Sequence, residues 1–157
     1  MNAETGDQKR YFTLEEANRR LPLVRAIVED IVTLFRDVHD RRQRLLRIRQ
    51  SSGKAGHSEN NLYEEEVEQV ERDLDKDIAR LDGYVRELHD LGAELKDYAT
   101  GLVDFLTRID GKDAYLCWRR GEEEIGYWHE LDAGVQGRQS LFEKSVPGED
   151  SAGEKLG

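Results

Sequence analysis

Residues 67–88, VEQVERDLDKDIARLDGYVREL, decide the fold. Val67, Val70, Leu74, Ile78, Leu81, Val85 and Leu88 recur at steps of three and four residues, the spacing of a coiled-coil seam. A matching stripe lies upstream in Val24, Val28, Ile31, Phe35, Val38, Arg42 and Leu45. Folding the chain near residue 56 brings the stripes together antiparallel. Val24 then faces Leu88, Ile31 faces Leu81, Val38 faces Leu74 and Leu45 faces Val67. The expected hairpin spans residues 22–91, with helices from about Pro22 to Arg49 and from Leu62 to Leu91. Residues 51–61, rich in glycine, serine and asparagine, form its tip.

The apolar face of the first long helix is wide where Ile27, Val32 and Leu34 join the seam, and narrow after Val38. The early half should therefore carry the rest of the fold, and the later half should project as an arm. Gly92 is placed to cap the return helix. Gly83 inside it costs about 1 kcal/mol of helix propensity against alanine, which a close helix contact is expected to offset.

Upstream, Thr13 and Glu16 have the spacing of a capping box, with Phe12 placed to staple against Ala17. Pro22 is expected to separate a short N-terminal helix from the long one. Downstream of Gly92 the periodicity becomes alternating. Asp110-Gly111 suits a type I′ hairpin turn and Gly121-Glu122 a type II′ turn. Taken as two-residue turns, they pair Phe105 with Leu116, Val103 with Trp118, Trp118 with Ile125, and Leu116 with Tyr127. A further short strand at 94–97 is compatible with the pattern.

The fold class is thus α+β: a long antiparallel helical hairpin, a short N-terminal helix and a small antiparallel β-meander at the base. Residues 11–142 read as a single domain, made of the hairpin 22–91, the meander 94–131 and a glycine-rich loop 132–141. Residues 1–10 and 143–157 are expected to be disordered.

Composition narrows the function. The 157 residues are 37% hydrophobic and 37% charged, which suits a thin two-helix object. The net charge of -10 argues against nucleic acid and anionic membranes as partners. The charge is uneven: residues 1–50 hold 11 basic and 8 acidic side chains, residues 51–100 hold 6 and 14. No apolar run approaches the roughly 20 residues of a membrane span, and a single cysteine suits a reducing cytoplasm. The basic run Arg41, Arg42, Arg44, Arg47 and Arg49 is expected to be neutralised within the hairpin. Arg41 should pair with Glu71, Arg44 with Glu68, Arg47 with Glu65, and Asp40 with Arg72.

The expected register points Asp104, Leu106, Arg108, Asp113, Tyr115, Cys117, Arg119, Glu124 and Trp128 away from the helices. The candidate binding residues are Asp104, Tyr115, Cys117, Arg119, Trp128, His129 and Arg138. An aromatic row beside a carboxylate and a thiol can form a binding surface, or it can lie under the segment 132–141. A Cys117–His129 nucleophile–base pair is disfavoured, because that register places them on opposite faces. One cysteine and four scattered histidines show no metal-ligand spacing, so no metal and no cofactor are expected. Gly134, Gly137 and Arg138 read as a surface loop rather than an anion cradle.

Two blocks carry a family resemblance: YFTLEEANRRLPLVR at 11–25, and GAELKDYATGLVDF at 92–105 with YLCWRRGEEEIGYWHELDAGVQGRQ at 115–139. Together they resemble a bacterial domain of unknown function, number 2203 among such families. The resemblance implies no activity, cofactor or partner. It implies only that the motif-bearing parts form a body at the base of a generic arm. The expected function is a non-enzymatic interaction or scaffold module, using the hairpin or the outer sheet face for a protein partner or self-association. The alternative is a small-molecule-binding or enzymatic site at the sheet–loop junction, which a concave pocket joining the candidate residues would favour.

Overall fold

The computed structural model describes residues 9–52 and 60–142. Two helices, α1 (Leu14–Ser52) and α2 (Asn60–Asp90), form the hairpin. An antiparallel sheet succeeds them, with strands β1 (Ala93–Asp97), β2 (Leu102–Ile109), β3 (Lys112–Arg119), β4 (Tyr127–Glu130) and β5 (Gln139–Ser140) in sequential order. The expected helical hairpin and meander are both present. Of the tip expected at 51–61, residues 51–52 and 60–61 are helical and 53–59 lie outside the described residues, as do 1–8 of the N-terminal stretch 1–10 and all of 143–157. Among the described residues no helix is long and apolar enough to cross a membrane.

The apolar stripes form the core. Val24, Val28, Ile31, Val38 and Leu45 of α1 are buried with Leu74, Leu81 and Leu88 of α2. Val32 and Leu34, on the wide early face, are buried as well. The capping box forms as expected, with the Glu16 amide donating to Thr13 Oγ1 at 3.0 Å and the Thr13 amide to Glu16 Oε1 at 2.9 Å.

Pro22 does not divide the helix. It lies inside a continuous α1, between Ala17, Leu21 and Val24, each at most 3% exposed. Burial on both sides of the proline outweighs the roughly 3 kcal/mol that an interior proline costs. Phe12 reaches beyond a local staple. Its ring meets Phe105 edge-on at 5.3 Å, and its amide donates to the Leu106 carbonyl at 2.8 Å.

The ion pairs along the arm differ from those expected. Arg41 pairs with Asp37 and Asp77 rather than Glu71, and Arg49 takes Glu71. Among the described residues no ion pair joins Arg44 to Glu68, Arg47 to Glu65, or Asp40 to Arg72. Helical side chains lean toward their own N-terminus, so arginines of α1 lean toward the hairpin base and meet later residues of α2. Gly83 is also unlike its expectation, since a Cβ added there meets nothing within 4 Å. No close helix contact requires it.

The first hairpin turn forms as expected. Asp110 and Gly111 both have positive φ, at 55° and 78°, and Phe105 lies opposite Leu116 and Val103 opposite Trp118. The second turn does not. β3 and β4 are joined by residues 120–126, and the ladder pairs Leu116 with Trp128 and Cys117 with Tyr127. The connection is longer because it is tied to other parts of the fold. The Ile125 amide donates to Asn18 Oδ1 at 2.9 Å, Trp118 Nε1 donates to the Glu122 carbonyl at 3.0 Å, and Arg25 donates to the Glu123 carbonyl. Ile125 itself is buried in the core.

This moves the register by one residue, and a one-residue move exchanges the faces of a strand. Trp128 joins the core beside Leu116, while His129 turns to the outer face. The placement of Trp128 on the outer face, and of Cys117 and His129 on opposite faces, is therefore corrected.

Candidate functional site

Alternation along β2, β3 and β4 places Asp104, Tyr115, Cys117 and His129 on the sheet face away from the helices. Asp104 lies directly opposite Cys117, and Tyr115 opposite His129. Asp104, Cys117 and His129 are 1%, 0% and 3% exposed. Their carboxylate oxygen, sulfur and ring nitrogen all lie within 4.8 Å of one another. Three chemically active side chains, none adjacent in sequence, thus share one buried spot.

His129 Nε2 stands 3.1 and 3.0 Å from the two Asp104 oxygens, and Nδ1 stands 2.8 Å from the Glu130 carbonyl. A carbonyl only accepts, so Nδ1 carries a hydrogen. A second proton then lies between Nε2 and the carboxylate, on one or the other. Burial pushes the Asp104 carboxyl above the ordinary carboxylate range, against the pull of His129. Burial also pushes the Cys117 thiol up to about 11, opposed by the Arg138 donor and assisted by the Asp104 charge. A thiol in that state is no nucleophile at neutral pH.

Arg138 holds the far side of the sulfur. Its Nε donates to Cys117 Sγ at 3.3 Å, and its two terminal nitrogens bind Glu122 at 2.8 Å each. The guanidinium also lies 4.1 Å from the Tyr127 ring centroid. The segment 132–141 thus covers part of the outer face, with its arginine already engaged. β5 closes the edge by pairing Trp128 with Gln139.

The covering is incomplete. A cavity of about 480 Å³ opens on the outer face of β1 to β4 with Asp104 and His129 in its wall, flanked by Lys96, Asp97, Tyr115, Arg119, Leu131 and Val135. Four of the seven candidate residues, Asp104, Tyr115, Arg119 and His129, therefore line one concavity. Cys117 and Arg138 lie behind it, and Trp128 points into the core. Lys96 pairs with Glu94 at 3.2 Å, whereas Arg119 has no ion pair among the described residues. A larger hollow of about 810 Å³ lies between α1 and the β3–β4 connection, lined by Arg25, Glu29 and Arg120. There Arg120 is bidentate on Glu29 at 2.7 and 3.0 Å and Arg25 donates to the Glu122 and Glu123 carbonyls, and none of the buried groups Asp104, Cys117 and His129 lines it. We therefore place the site in the smaller cavity.

Lys96, Glu122 and Tyr127 are parts of this arrangement that sequence reasoning did not single out. Alternation along 94–97 carries a signal for Lys96, once Glu94 is paired with Asp104. Glu122 sits in a run of three glutamates, and no pattern distinguishes it from its neighbours.

The model of a family described as Uncharacterized conserved protein (DUF2203) matches residues 10–141. No curated protein matches the chain, and no solved structure does.

Proposed function

The chain belongs to the DUF2203 family of uncharacterized conserved proteins, and we propose that it binds a small anionic molecule in the cavity on its outer sheet face. The observation that carries this is the burial of Asp104, Cys117 and His129 behind an open concavity. Burying ionisable groups lowers stability unless they are paired, and a better-packed apolar set would serve a purely structural sheet at least as well. Buried titratable groups converging on a cleft are the physical signature of a working site. Arg119, a cation at the mouth with no ion pair among the described residues, selects for an anionic group on the ligand. Its setting is taken to be the cytoplasm, where Cys117 stays reduced.

A melting-temperature screen of small carboxylates and phosphate esters, followed by calorimetric titration of any hit, tests this reading. A ligand whose affinity drops at least about tenfold in Arg119→Ala supports it, that factor corresponding to the loss of one charge-assisted contact. A panel without a hit, or hits indifferent to both Arg119→Ala and His129→Gln, removes it.

The interaction-module reading retains one supporting observation. Leu23, Leu46 and Ile48 of α1 are 60%, 48% and 44% exposed. Sedimentation of the full chain across a range of concentrations tests self-association, and a monomer throughout counts against it.

A further inference from the structure

We propose that Asp104, Cys117 and His129 hold a divalent transition-metal ion of the zinc type, with its remaining position open to the cavity. This deepens the cavity reading, on which it rests for an entry route and an open coordination site. The geometry is close to what such an ion requires. Tetrahedral zinc with bonds of about 2.0–2.3 Å sets its ligand atoms roughly 3.3–3.8 Å apart. The three ligand atoms lie within 4.8 Å of one another, and Nε2 is 3.0 Å from Oδ2. The three side chains already share one sheet face.

Two contacts around the three groups suit a metal ligand shell. His129 donates Nδ1–H to the Glu130 carbonyl, which fixes the ring and leaves Nε2 as the ligand atom. An outer hydrogen bond of this kind is the usual companion of a metal-bound histidine. Arg138 sets Nε 3.3 Å from Sγ and is itself anchored on Glu122, placing a charged donor where a thiolate would form. A sulfur, nitrogen and oxygen set favours zinc, cobalt or iron over magnesium and calcium, which take oxygen ligands.

The charges balance as well. One carboxylate, one thiolate and a neutral imidazole cancel the two charges of the ion. Binding displaces two protons: the one between Nε2 and the carboxylate, and the one on the thiol. Asp104 and His129 line the cavity while Cys117 is fully buried, so the ion would enter from the cavity side and carry its exchangeable ligand there.

The test uses the full chain, stripped with a chelator and titrated with cobalt(II) alone. The expected result is saturation at one ion per chain, with visible ligand-field bands and a near-ultraviolet thiolate-to-cobalt band. Cys117→Ser should lose the near-ultraviolet band, and Asp104→Asn and His129→Gln should each weaken binding at least about tenfold, while His89→Gln, at an exposed position, changes nothing. A wild-type titration without the thiolate band overturns the proposal by itself, whatever the folding of the variants, and so does a band that survives Cys117→Ser. If that band is absent while the stripped protein still binds an anion through Arg119, the metal falls and the cavity reading stands. If the band is present but no anion binds, the metal site is supported and the anion reading is removed.

Discussion

His129 Nε2 and Asp104 Oδ2 meet at 3.0 Å across 25 residues of chain, with both side chains almost wholly out of solvent. Such a pair is held by its own hydrogen bond and by the sheet, with little help from solvent. Removing one partner leaves the other buried without its bond, which costs more than the pair itself contributes. In chelator-treated protein, Asp104→Ala should lower unfolding stability by about 3 kcal/mol. Asp104→Asn retains an oxygen for Nε2–H and should lose clearly less. Equal losses in urea denaturation would mean that the hydrogen bond contributes little.

The thiol gives an independent check on the same burial. Cys117 has its pKa pushed up to about 11 from 9.0, so between those values the unfolded thiol ionises and the folded one does not. This group's contribution to stability is therefore complete below pH 9 and declines as pH rises toward 11. At pH 8 the native thiolate fraction is about 100-fold below that of an unfolded cysteine, and burial slows attack further. In chelator-treated protein, labelling with an aromatic disulfide should be slow in the native state and immediate in guanidinium. Fast native labelling at pH 8 would contradict both the burial and the shift.

At the site, the limits of sequence reasoning lie in one turn. The β2–β3 pairing was legible because Asp110-Gly111 supplies two positive-φ positions at the length a type I′ turn requires. The helix stripes were legible because α2 buries every side chain of its heptad seam at least in part. Gly121 also has positive φ, at 104°, but it opens a longer connection tied to α1 through Asn18 and Arg25. Long-range bonds of that kind leave no trace in local periodicity. An error of one residue there reversed the faces of Trp128 and His129, and with them the reading of the site. Asp104, Tyr115 and Arg119 were recognised because their strands precede that turn.

Gly83 offers a test of the hairpin separate from the site. It lies within α2, and a Cβ built on it meets no atom within 4 Å. Alanine there removes backbone freedom from the unfolded chain without displacing a neighbour, so Gly83→Ala should stabilise by about 0.5–1 kcal/mol. Thermal unfolding should shift upward by about 1–4 °C for a domain of this size. A lowered midpoint would show that the helices approach more closely at this position than the structure places them.

Glu122 and Arg138 tie the β3–β4 connection to the segment that covers Cys117, and their pH dependence has a definite sign. Burial would raise the Glu122 carboxyl, but the two-pronged Arg138 contact and the Arg119 amide outweigh it and hold the group below its ordinary 4.5. A depressed carboxylate contributes stability above its unfolded value and loses it as pH falls toward the folded one. Wild type should therefore exceed Glu122→Gln by about 2 kcal/mol at pH 7, the range for hydrogen bonds to a charged partner. The gap should hold down to about pH 5 and close below 4.5. Arg138→Lys keeps the charge but not the fork, so it should lose much of the same increment and leave Cys117 more open to labelling. A gap between wild type and Glu122→Gln that stays constant from pH 7 to pH 3 would mean that the carboxylate's charge does not hold this connection in place.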